Sequence, residues 1–130
     1  MRRIDLHCYP GTREWITSQG MFVDALAEYW KKEWVAKEES EVIGEFEAAG
    51  IEAVVVAFDI ETVTGTPPCT NEYVAGLRDR HPDTIIQAWG AVDPRKRAAA
   101  LQEAEPPVRE FGCLGCQRPP TRRPFADDAP

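Results

Sequence analysis

The chain has 130 residues, enough for one globular domain with a core of its own, and a formal charge of -7 at pH 7. That charge excludes a nucleic-acid surface, because phosphate binding needs clustered Lys and Arg, and here basic residues form only short groups: Arg2-Arg3, Lys31-Lys32, Arg95-Lys96-Arg97 and Arg122-Arg123. The longest apolar run, residues 53–58, falls far short of the ~20 residues a membrane-spanning helix requires, so no membrane partner is expected.

Met1-Arg2-Arg3 leads into a charged strand and not into the apolar stretch of a secretory leader, which points to a cytoplasmic protein. Residues 4–8, Ile-Asp-Leu-His-Cys, predict a first strand that stops at Pro10-Gly11-Thr12. Asp5, His7 and Tyr9 alternate onto one face of it. Two histidines so spaced at a strand end can grip one metal ion from one side. Here His7 is the candidate metal ligand, and Tyr9 stands where a second imidazole would be.

Residues 22–34 place Val23, Leu26, Ala27, Trp30 and Trp34 on one helical stripe, with Lys31, Lys32 and Glu33 mostly off it. Ser40 can cap a second helix whose buried stripe is Val42, Ile43, Phe46 and Ala49, and Gly50 supplies its left-handed stop. Residues 51–58 predict a strand buried on both faces, since Val54-Val55-Val56 is β-branched and uninterrupted. Residues 59–69 form a loop around Thr64-Gly65-Thr66-Pro67-Pro68, after which Thr70 caps a helix carrying Tyr73, Val74 and Leu77 that ends before Pro82. Residues 84–92 predict a third strand. Asp93-Pro94 then starts a helix that runs through Ala98, Ala99, Ala100 and Leu101 until Pro106-Pro107 ends or kinks it, with one further turn over residues 108–111. Gly112-Cys113-Leu114-Gly115-Cys116 stands where a fourth strand is due, and residues 118–130 are proline-rich, polar and expected to be irregular.

Strands alternating with helices predict right-handed βαβ units around a parallel sheet in an α/β protein. Either a small doubly wound sheet or the first portion of a (β/α)8 barrel satisfies the pattern. A whole barrel takes about 250 residues, so residues 1–117 would supply its first three to four units as a partial TIM barrel.

Four segments carry a likeness: Ile4-Asp5-Leu6-His7; Glu47-Ala48-Ala49-Gly50-Ile51-Glu52-Ala53-Val54-Val55; Asn71-Glu72-Tyr73-Val74 with Arg80-His81-Pro82-Asp83; and Trp89-Gly90-Ala91-Val92-Asp93-Pro94. In their order and spacing, from residue 1 to about residue 115, the chain resembles the amidohydrolase-related family of metal-dependent TIM-barrel enzymes. This is the amidohydrolase 2 group, which includes aminocarboxymuconate-semialdehyde decarboxylase and the resorcylate-type decarboxylases. The resemblance implies a hydrolase or decarboxylase of a small organic acid, with a divalent zinc or manganese ion that activates water or polarises the substrate. It implies His7 as a ligand from the first strand. The family's Gly-x-Lys-x-His-Pro-like stretch on the fourth strand matches Gly115-Cys116-Gln117-Arg118-Pro119-Pro120, with Arg118 or Pro119 in the histidine's place.

The same residues support other expectations. A truncated or degenerate relative would keep the fold of the first units without catalysis, leave Val54, Val56 and Ile86 wet on an open inner face, and self-associate through open sheet edges. Cys113 and Cys116 have the spacing of a small Cys-x-x-Cys redox or zinc-binding module, although free thiols are the default for Cys8, Cys69, Cys113 and Cys116. Asp59 and Glu61 follow the second strand on the side where barrels build active sites. Asp5 is read as a hydrogen-bonded strand acid, His81 as a residue suited to a helix C-terminus, and Trp15, Trp30, Trp34 and Trp89 as packing residues.

Overall fold

A computed structural model describes residues 3–117; the expected irregular tail, residues 118–130, lies outside the described residues, as do Arg118 and Pro119. Four strands, β1 (Ile4–Cys8), β2 (Glu52–Val56), β3 (Ile85–Ala91) and β4 (Cys116–Gln117), pair in parallel in the order β1-β2-β3-β4. Between β1 and β2 lie α1 (Arg13–Ser18), α2 (Phe22–Trp30) and α3 (Glu39–Ala49). Between β2 and β3 lie α4 (Glu61–Thr64) and α5 (Asn71–Arg80), and between β3 and β4 a 3-10 turn (Pro94–Lys96), α6 (Ala98–Ala104) and α7 (Pro106–Arg109). The protein is α/β, built on a parallel sheet with helical connections.

The valine run does what its composition predicts: Ala53, Val54, Val55 and Val56 are all 1% exposed or less. On one side Ala53, Val55 and Ala57 pack with Ile85 and Ala88 of β3 against Val74, Ala75 and Leu77 of α5 and Ile43 of α3. Full burial of a side chain such as Leu77 or Ile85 contributes about 1.5–3 kcal/mol. Val54 and Val56 alternate onto the opposite side and are equally dry, which corrects the expectation that this inner face is wet; Ile86 there is half-buried. The edge strand β1 is covered less well, with Ile4 and Leu6 exposed.

The local stop and start signals hold at several points. Gly50 ends α3 at φ 62°, and the Thr70 hydroxyl accepts from the Tyr73 N–H at 3.1 Å to cap α5. Elsewhere tertiary structure redirects the chain. The helix expected to reach Trp34 stops at Lys31, which takes a left-handed φ of 53°. None of the residues of α2 is buried, and Trp30 is 63% exposed. The core position that its stripe would have filled goes instead to Trp15 of α1, and Trp34 returns to pack against the core beyond the break. Helix α3 begins two residues earlier than a Ser40 cap implies, because Glu38 is the capping residue and its N–H donates to Glu41 Oε2 at 2.9 Å. The helix after Asp93 is interrupted at Arg97 (φ 54°, ψ -114°), so only the 3-10 turn follows the proline directly.

Glu39 at the start of α3 joins it to the end of α5. Its carboxylate accepts from Arg80 Nε at 2.9 Å and Nη2 at 3.0 Å, and lies 2.6 Å from His81 Nε2, which gives His81 the structural place expected of it. The Arg80 bond chiefly, helped to a lesser degree by His81, holds the Glu39 carboxyl below its ordinary value of 4.5 against burial, whose opposing effect is second only to that of Arg80. A carboxyl depressed in the folded state stabilises above its unfolded value and loses that contribution as pH falls through the folded one. Urea midpoints taken from about pH 6 to about pH 3 should therefore fall less steeply for Glu39→Gln than for the native chain. Parallel curves would show that the Arg80 bridge contributes nothing to acid stability.

Candidate functional site at the carboxyl ends of the strands

In a parallel sheet the strand C-termini deliver side chains and loops to one end, and the polar groups of this chain gather there. At the end of β1, His7 lies on the face opposite the buried Cys8. Its Nε2 is 2.9 Å from Oε1 of Gln117, the last residue of β4, and the Gln117 amide nitrogen donates to the Ala57 carbonyl just past β2 at 2.7 Å. Tyr9, in the position of the missing imidazole, stacks on Trp15 with ring centroids 4.7 Å apart and meets His7 edge-on at 5.3 Å. Asp5 turns back on its own strand. Its Oδ1 accepts from the His7 N–H at 3.0 Å, and that bond first, then Cys8, holds its carboxyl below the usual range.

A second set of groups surrounds a cleft of about 360 Å³ beyond β2 and β3, lined in part by Asp59, Asn71, Glu72, Lys96, Glu103 and Phe111. Paired N–H···O bonds between Phe58 and Cys69, at 3.0 and 2.9 Å, close the loop that carries Asp59. The turn after Asp93 brings Lys96 to Asp59 at 2.7 Å, Glu61 at 3.1 Å and Glu103 at 3.5 Å. Burial alone would lower the Lys96 ammonium, but hydrogen bonds to Asp59 and Glu61 and the neighbouring charges outweigh it and push the group up. Three carboxylates around its Nζ favour the charged ammonium, which is not the form that serves as a base or an amine nucleophile. With Asp59, Glu72, Glu103 and Glu110 against one already paired lysine, the lining is acidic and unfavourable to the organic acid expected as substrate.

Two side chains that no local pattern marks as functional hold this end together. Asn71 clamps the end of β3 where β2 has turned away, its Oδ1 accepting from the Ala91 N–H at 2.7 Å and its Nδ2 donating to the Ala91 carbonyl at 3.2 Å. Asp93, read from sequence as a helix cap, does cap the turn by accepting from the Arg95 N–H at 2.9 Å. Its other oxygen reaches back to Thr62, accepting from the hydroxyl at 2.6 Å and the N–H at 3.1 Å, so it also ties α4 to the third strand's loop. Asp59 and Glu61 do come together, as partners of Lys96. They do not meet His7 through any of these bonds.

All four cysteines are free. Burial, then Asp5, pushes the Cys8 thiol up to about 12; burial, then Glu14, pushes Cys69 up to about 12; and burial raises Cys116 to about 11 and also raises Cys113. Since the thiolate is the nucleophile and the metal ligand, none of these is poised for exchange near neutral pH. Titration with an aromatic disulfide at about pH 8 should find the native thiols slow and all four fast after denaturation. Rapid loss of two native thiols would instead favour a Cys113–Cys116 redox pair.

The donor set does not fit the metal implied by the family resemblance. Among the described residues no three His, Cys, Asp or Glu side chains are grouped to hold an ion. His7 is engaged by an amide, and Tyr9 offers a phenol, a poor ligand for a divalent ion in its neutral form. No helix among the described residues is long and apolar enough to cross a membrane. Comparison of the chain with protein-family models, curated proteins and solved structures finds no match.

Proposed function

We propose that residues 4–117 are the first three β/α units and the fourth strand of a (β/α)8 barrel of the amidohydrolase-related type, in a degenerate member that carries no metal-assisted hydrolysis or decarboxylation on these units. Barrel strands neighbour one another in chain order, whereas a doubly wound sheet reverses its order at a switch point. The order β1-β2-β3-β4 therefore favours the barrel. The observation that carries the functional half is the meeting of His7 with Gln117, an imidazole with an amide, where the family places metal ligands. Among the described residues β1 and β4 are the outer strands of the sheet, and further strands of the cylinder would add at their edges. Four free thiols suit a reducing, cytoplasmic setting.

Calorimetric titration with zinc and with manganese tests this directly. The expected result is no one-to-one binding in the micromolar range, and a thermal midpoint indifferent to chelator. One equivalent bound tightly by the native chain and lost in His7→Ala would overturn the proposal and restore the metal-dependent enzyme.

A further inference from the structure

We infer that His7 is held as its Nε2–H tautomer by Gln117, and that this pair is a strap drawn across the sheet that closes Nε2 and leaves Nδ1 the ring's one free lone pair. The inference stands on hydrogen-bond chemistry and does not depend on the barrel or the family.

The Ala57 carbonyl oxygen can only accept, so the Gln117 side-chain atom 2.7 Å from it must be the amide nitrogen. That fixes the amide and turns Oε1 toward His7 Nε2, 2.9 Å away. An amide oxygen also only accepts, so Nε2 must carry the proton, and in the neutral ring the lone pair is left on Nδ1. The lone pair that remains is therefore the one on Nδ1, while Nε2 is closed to a cation for as long as Gln117 holds its proton.

The strap also spans the fold. His7 and Gln117 sit on the outermost strands, with β2 and β3 between them, and Ala57 anchors the link just past β2. Among the described residues β4 spans Cys116–Gln117, and the backbone bonds that tie its region to β3 include Gly90 N–H to Gly115 O at 2.8 Å, Val92 N–H to Gln117 O at 3.1 Å and Leu114 N–H to Ala88 O at 2.9 Å. A side-chain tie that reaches both β2 and β1 adds to this ladder and holds β4 against fraying.

Long-range proton–nitrogen NMR of the imidazoles at about pH 8, with His7 assigned by its loss in His7→Ala, reads the tautomer directly. The native chain should show His7 protonated on Nε2. In Gln117→Leu the ring should relax to a tautomer mixture, and amide exchange at Gly90 and Val92 should rise about tenfold. If that variant fails to fold, Gln117→Glu serves: a carboxylate still accepts from His7 but cannot donate to Ala57, so the Nε2–H tautomer should persist while exchange at β4 rises. An Nδ1–H ring in the native chain, or a tautomer and exchange rates indifferent to position 117, would each overturn the strap.

Discussion

Asp93→Ala is expected to lower stability by about 3 kcal/mol, among the largest losses available from a single polar side chain in this protein. The carboxylate is wholly buried and accepts three hydrogen bonds, from Thr62 N–H, Thr62 Oγ1 and Arg95 N–H. Bonds to a charged acceptor contribute about 1.5–3 kcal/mol each, and because these three share one group the losses do not simply add. Removal strips the acceptor from both segments at once and frees the turn that carries Lys96 to Asp59. Asp93→Asn keeps one acceptor oxygen and should lose about half as much. Urea unfolding of the two variants checks the order; an alanine variant within about 0.5 kcal/mol of native would show that these bonds are replaced by water at no cost.

Gly90→Ala is expected to cost about 2–3 kcal/mol although it adds a single methyl group to a strand. A Cβ at this point would stand 2.5 Å from Pro107 Cβ, 2.9 Å from Pro107 Cγ and 3.2 Å from Asn71 Oδ1. Pro107 is fully buried and its ring is fixed to the backbone, so no rotamer change relieves the clash. Either α7 moves off β3 or the Asn71 clamp on Ala91 opens. Thermal unfolding measures the loss, and faster exchange of the Ala91 amide would identify the clamp as the part that yields. A native-like midpoint would mean that α7 does not press on β3 as closely as these distances state.

Much of the scaffold could be read from local chemistry. The run Ala53 to Val56 announces a doubly covered strand because β-branched residues suit that setting. Ile4 to Cys8 announces another, and Thr70 and Gly50 punctuate their helices through bonds and backbone angles that depend only on near neighbours. What escaped depends on residues far apart. Gln117 meets His7 across a separation of 110 residues, and Lys96 meets Asp59 across 37, so no window of sequence contains either pair. The misread stripe of α2 is instructive in the same way. Val23, Leu26, Ala27 and Trp30 are correctly helical, but amphipathic spacing does not say whether a face finds a partner, and here Trp15 from an unforeseen short helix fills the core first. In the candidate site, His7 was recognised as a residue and its partner was not. The stretch Gly115 to Pro120 contains Gln117 without marking it, whereas its amide is what occupies His7 Nε2.

The central claim is that the end of this sheet is closed by an imidazole–amide bond and not by a metal. Crystals grown with excess zinc and measured at the zinc absorption edge test it most directly. The claim predicts no anomalous peak within bonding distance of His7 Nε2 and the Gln117 amide still between His7 and Ala57. A zinc ion about 2.0–2.1 Å from Nε2, with Gln117 swung away, would contradict it.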